Sequence, residues 1–125
     1  MDHVDPLALE LPRAPEAPAI ARQQLARSFG GALRADQLQT VRLLTSELVT
    51  NALLHGAGSI VLRASLEEHR LLVEVIDEGN GLDSRAPIRP DPDHIGGYGL
   101  QIVDSEASRW GIGRGTTHVW FELEC

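Results

Sequence analysis

Glu47, Asn51 and His55 stand at i, i+4 and i+8 within a helical pattern, each roughly 40° further round the helix than the last. An asparagine side-chain oxygen is a hard, neutral ligand suited to Mg2+, which takes oxygen donors and keeps several waters. A carboxylate one turn earlier, such as Glu47, can orient or deprotonate a hydroxyl or water near that metal. The same spacing also describes a solvated helix face ending in a histidine favoured by the helix dipole. The helix alone does not choose between the two.

Asp77 closes a strand pattern in phase with Leu71, Val73 and Val75, so it shares their inward face. A carboxylate at the end of an apolar row needs a partner. Either it caps its own turn, or it accepts from the exocyclic amine of adenine, with Gly79 and Gly81 turning the backbone away to leave room for a ring. Gly96, Gly97, Tyr98 and Gly99 precede Leu100 and a third helical pattern. Amides at a glycine-rich helix start bind phosphate, although glycine also serves hinges and caps. Thr117 is in phase with Val119, Phe121 and Leu123, whereas Thr116 shares parity with His118 and Trp120. A hydroxyl near Asp77 is therefore expected from Thr117, unless that threonine is simply a strand-favouring residue. Together and in this order, the segments supply a metal ligand, a base-reading carboxylate and a phosphate-binding helix start, which reads as an ATP site built without a P-loop.

Composition narrows the chemistry further. All 11 basic residues are arginine and none is lysine, which excludes a Walker A lysine, a Schiff-base lysine and a kinase strand lysine. Nucleotide phosphates must then be held by Mg2+, backbone amides and arginine. A net charge of −7 argues against nonspecific binding of nucleic acid or anionic membranes, which draw on cationic patches. The apolar runs fall far short of the roughly 20 residues of a membrane span. The opening residues lack the basic and apolar regions of a signal peptide, so a cytoplasmic location is expected. Cys125, the single cysteine, cannot form an internal disulfide. At 125 residues and with 42% hydrophobic residues, the expectation is one globular domain with a real core.

Leu7 to Leu11 alternates and stops at Pro12, suggesting an edge strand. Helices are expected from about Ala19 to Phe29 and along Leu38, Val41, Thr45, Leu48, Val49 and Ala52 to a stop at Gly56. Ser59–Glu67 and Arg70–Asp77 read as strands joined by a tight turn at Glu68-His69. The proline- and aspartate-rich stretch from Leu82 to Ile95 reads as a loop. A third helix from near Gly97 to about Ser108 and a closing hairpin, Trp110–Ile112 with Thr116–Glu124, complete the chain. This order predicts an α+β two-layer sandwich: a mixed, mainly antiparallel sheet with helices on one face.

With these motifs placed, the chain resembles the GHKL ATPase superfamily and its Bergerat fold. Ser46-Glu-Leu-Val-Thr-Asn-Ala52 followed by His55-Gly56 is similar to the anti-sigma factor, serine/threonine-protein kinase family. The resemblance covers about residues 7 to 124 and implies ATP and Mg2+ as ligands. It implies Glu47 as general base, Asn51 as the Mg2+ ligand and Asp77 as the adenine-binding aspartate. Gly79 and Gly81 would shape the pocket, Gly97 and Gly99 would lie under the phosphates, and 82–95 would be a lid. It further implies a switch protein that phosphorylates a serine or threonine on a STAS-type anti-sigma-factor antagonist and sequesters a sigma factor. Dimerisation is common among such relatives. Kinase members place an arginine just before the last glycine box, where this chain has His94 and Ile95. That difference keeps open a nucleotide-dependent protein-binding module without phosphotransfer. The catalytic half of a split histidine kinase is a further alternative, but it needs a separate phosphoacceptor domain.

Overall fold

The computed structural model describes residues 5–79, 106–112 and 117–125. Gly81, the expected lid at 82–95, Gly96 to Leu100, Thr116 and most of the expected third helix lie outside these residues. The described elements run β1 (Leu7–Leu11), α1 (Ala17–Phe29), α2 (Ala35–His55), β2 (Ile60–Glu67), β3 (Arg70–Asp77), β4 (Arg109–Ile112) and β5 (Thr117–Glu124).

The strands form one sheet in the order β1-β2-β3-β5-β4, and each of its four pairings is antiparallel. Period-two alternation gives each central strand one buried face. Ile60, Leu62 and Ala64 of β2, Leu71, Val73 and Val75 of β3, and Val119, Phe121 and Leu123 of β5 all turn inward. The register follows from the turn between β2 and β3. Glu68 and His69 both adopt left-handed backbone (φ 49° and 66°), the pairing a two-residue type I′ hairpin requires. Ile60 is thereby set opposite Asp77 at the far end of the hairpin.

Both helices cover the inward face. α1 packs over β1 and β2, and α2 over β3 and β5. In α1, Ala17, Ala21, Leu25 and Phe29 recur every fourth residue and are fully buried. The helix expected from about Ala19 begins two residues earlier, because Pro18 fits the first turn, where its missing N–H is no loss. α2 starts where the Gln37 side chain accepts from the Arg34 backbone N–H at 2.9 Å, satisfying a donor at the helix entry. Its buried stripe, Val41, Leu44, Leu48, Val49 and Ala52, carries the helix across the sheet and brings its C-terminal end to the Asp77 end of β3. The outward face of the sheet carries charge: Glu74 meets His118 at 2.8 Å and Arg63 at 3.7 Å, and Glu122 lies 3.9 Å from both Arg70 and Arg109.

Candidate functional site

The site forms where α2 stops and β3 runs out of the sheet. Gly56 ends α2, its N–H donating to the Ala52 carbonyl at 3.0 Å. The chain then turns through Ala57 and Gly58, whose φ of +67° suits glycine, and enters β2 at Ile60. Two contacts bind this turn to the end of β3. The Glu78 N–H donates to the Ala57 carbonyl at 2.8 Å, and the Ala57 N–H points at Asp77 Oδ1 at 3.4 Å.

Asp77 is 5% exposed. Its Oδ1 accepts from the Gly79 N–H at 2.7 Å, so the carboxylate does cap its own turn. Its Oδ2, also buried, has no hydrogen-bond partner among the described residues. The two readings open in the sequence are therefore not exclusive: one oxygen is used by the backbone and the other is left over. A buried acceptor without a partner costs about 1–3 kcal/mol. Gly56 lies directly beneath this oxygen, so close that a Cβ there would collide with Oδ2 and Cγ of Asp77. The absent side chain keeps the carboxylate clear. A donor such as an exocyclic amine is the chemistry that satisfies Oδ2.

Asn51 is also buried, at 6% exposed, and its Nδ2 lacks a partner among the described residues. It lies five residues before Gly56, or about 7.5 Å along the helix axis. Two orphaned polar groups thus sit near one end of one helix. The neutral amide oxygen is a donor type Mg2+ accepts. Asn51 and Asp77 therefore fit a nucleotide with its metal. Glu47, one turn earlier, is half-buried, and His55 is exposed in the last turn. Next to Glu47, Arg22 donates to Ser46 Oγ at 2.8 Å, tying α1 to α2. The backbone of Thr117 stands opposite Asp77 in the β3–β5 register. Gly79 contributes its amide to Asp77, while Gly81, Gly96, Gly97, Tyr98, Gly99 and Leu100 lie outside the described residues.

Two participants escape sequence reasoning. One is Arg13, in the connector after β1. Its Nε donates to the Gly58 carbonyl at 2.8 Å and its Nη1 to the Ala52 and Leu53 carbonyls at 3.1 and 3.3 Å. Nothing in a proline-rich connector announces this. The other is the turn through Gly56, Ala57 and Gly58; its two glycines are the only sequence signal. A cavity of about 440 Å³ lined by Arg34, Gln37, Leu66, His69 and Cys125 lies at the opposite end of the sheet and gathers none of these residues. Burial pushes the Cys125 thiol above its ordinary value, which disfavours the reactive thiolate there.

A carboxylate oxygen and an amide nitrogen, both buried and without partners among the described residues, thus belong to residues at the α2–β3 end of a two-layer sandwich. Residues 11–122 match the family described as Histidine kinase-like ATPase domain, and the chain belongs to that family. It is 32% identical over 81 residues to the anti-sigma F factor of Clostridium acetobutylicum and 29% identical over 82 residues to that of Bacillus subtilis. Each match covers 56% of this chain, and the chain spans about half the length of these curated relatives (56%). Among solved structures, RsbU and RsbW domains from Mycobacterium tuberculosis share the fold with a TM-score of 0.69 at 23% identity, over 95% of this chain and 31% of that one. The histidine kinase domain of a blue-light activated kinase from Erythrobacter litoralis superposes with a TM-score of 0.56 at 27% identity, over 70% of this chain and 44% of that one. The resemblance drawn from Glu47, Asn51 and Asp77 thus holds at the level of family and fold.

Proposed function

We propose that this chain binds Mg-ATP between α2 and β3 and acts as an anti-sigma factor with serine/threonine kinase activity toward an anti-sigma-factor antagonist. The observation that carries nucleotide binding is the Asp77 carboxylate: buried, bonded through Oδ1 and with Oδ2 unpartnered above a side-chain-free Gly56. In this reading Oδ2 accepts from the adenine N6 amine. A guanine presents a carbonyl there and would meet the carboxylate as acceptor against acceptor, so adenine is selected. Asn51 holds the metal, which when bound neutralises charge on the phosphates. Glu47, one turn before Asn51, takes the proton from the acceptor hydroxyl and leaves the nucleotide to Asn51 and Asp77. His55, Gly79, Gly81, Gly96, Gly97, Tyr98, Gly99, Leu100 and Thr117 complete the nucleotide contacts by resemblance.

The regulatory half of the proposal leans on the anti-sigma F factors that this chain is similar to. Its partners would be a sigma factor and a STAS-type antagonist, in the cytoplasm, with a homodimer as the working form. None of the described helices is long and apolar enough to cross a membrane, and a net charge of −7 disfavours direct contact with nucleic acid. Incubation with radiolabelled ATP and a candidate antagonist tests the kinase: label on a serine or threonine of the antagonist supports it. A second reading, nucleotide-dependent binding without transfer, rests on His94 and Ile95 standing where kinase relatives place arginine. ATP binding with no label transferred would select it.

A further inference from the structure

Arg13 ties the last turn of α2, at Ala52 and Leu53, to Gly58 in the turn that follows it. The four last carbonyls of a helix lack intrahelical partners, and a cation beside them is favoured by the helix dipole. Arg13 donates to two carbonyls of the last turn of α2, at Leu53 and at Ala52, which also accepts from the Gly56 N–H, and with its third contact takes the Gly58 carbonyl. Those carbonyls flank both halves of the candidate site. Ala52 follows Asn51 directly, and Gly58 ends the turn whose Ala57 N–H and Gly56 Cα lie against the Asp77 carboxylate. A single exposed arginine bond would matter little. A planar guanidinium spanning three carbonyls from two segments is different, because one ordered side chain fixes their separation.

We infer that Arg13 is a positioning residue for the nucleotide site: it sets the distance between the Asn51 end of α2 and the turn that supports Asp77. The inference rests on the nucleotide reading above and adds to it a residue that touches neither base nor metal. If Arg13 is lost, the Gly56–Gly58 turn loses its tie to the connector after β1 and is held from outside chiefly by the Glu78 N–H on the Ala57 carbonyl. Asp77 Oδ1 then loses the steadying of the Ala57 amide, and Oδ2 is presented to the base less uniformly. A residue acting through Asp77 matters only while Asp77 has its charge to present.

Calorimetric titration of the full chain with Mg-ATP, for wild type, Arg13→Ala, Asp77→Asn and the double variant, tests this. Arg13→Ala should weaken ATP binding about five- to tenfold, yet cost twofold or less in the Asp77→Asn background. Arg13→Lys, whose compact ammonium keeps the charge but lacks the planar fork that spans these carbonyls, should give intermediate affinity. Without nucleotide, amide exchange at Ala57 and Gly79 should quicken about tenfold in Arg13→Ala while amides within β2 and β3 stay unchanged. Equal fold-losses in both backgrounds, wild-type affinity in Arg13→Lys, or unchanged exchange at Ala57 would overturn the positioning role alone. Failure of the wild type to bind ATP would instead overturn the nucleotide reading, and this role with it.

Discussion

Gly56 lies so close under Asp77 that a β-carbon at position 56 would overlap Oδ2 of the carboxylate. The backbone at Gly56 is extended (φ −94°, ψ −168°), a conformation any residue adopts, so glycine is needed there for space and not for backbone freedom. Gly56→Ala should therefore displace the Asp77 side chain and also crowd the Ala52 carbonyl in the last turn of α2. ATP affinity is expected to fall at least about tenfold, with a thermal midpoint lowered by only a few degrees. Calorimetry and a melting curve on one preparation check both; an alanine variant that binds ATP normally would show that Asp77 can retreat without consequence.

Asp77→Asn isolates the charge. An amide still offers an oxygen to the adenine amine but gives up the charge-assisted bond, worth roughly 1.5–3 kcal/mol. Affinity for ATP should drop about tenfold or more while the circular dichroism spectrum is unchanged. Unaltered binding would reduce Asp77 to the capping role that its Oδ1 already performs toward Gly79.

Thr45 tests the packing account independently of ligand. It is fully buried in α2, and its hydroxyl has no partner among the described residues. Valine has nearly the same shape without the polar atom, so Thr45→Val should stabilise the protein by about 1 kcal/mol. The denaturation midpoint should rise at constant m-value. A loss of stability would mean that the hydroxyl is satisfied after all.

Glu47 and Asn51 should separate chemistry from binding. Glu47→Gln is expected to abolish phosphate transfer while leaving ATP affinity within a few-fold, since a general base acts on the acceptor. Asn51→Ala should lose both, by removing the metal's protein ligand. Parallel losses of ATP binding would reassign Glu47 to a supporting role beside Asn51.

Particular residues explain how far the sequence was readable. Alternation through Leu71, Val73 and Val75 fixes both the inward face and Asp77's place at its end, so the β2–β3 hairpin is legible almost to the residue. The α2 stripe is legible for the same reason at helical period. Less is visible where a contact joins distant segments. No local pattern states that β5 inserts between β3 and β4, because strand pairing is decided by the whole core. Arg13 binds carbonyls 39, 40 and 45 residues away, and backbone acceptors carry no side-chain signature. Nor does sequence show that Asp77 commits one oxygen to its turn and leaves the other buried without a partner among the described residues.

Asn51 and Asp77 together would make an adenine-nucleotide site. Calorimetric titration with ATP and with GTP, each in Mg2+ and again in EDTA, tests it most directly. Saturable ATP binding is expected in Mg2+, with at least about tenfold weaker binding in EDTA and GTP weaker than ATP by a similar factor. Equal affinity for ATP and GTP, or no ATP binding in Mg2+, would contradict it.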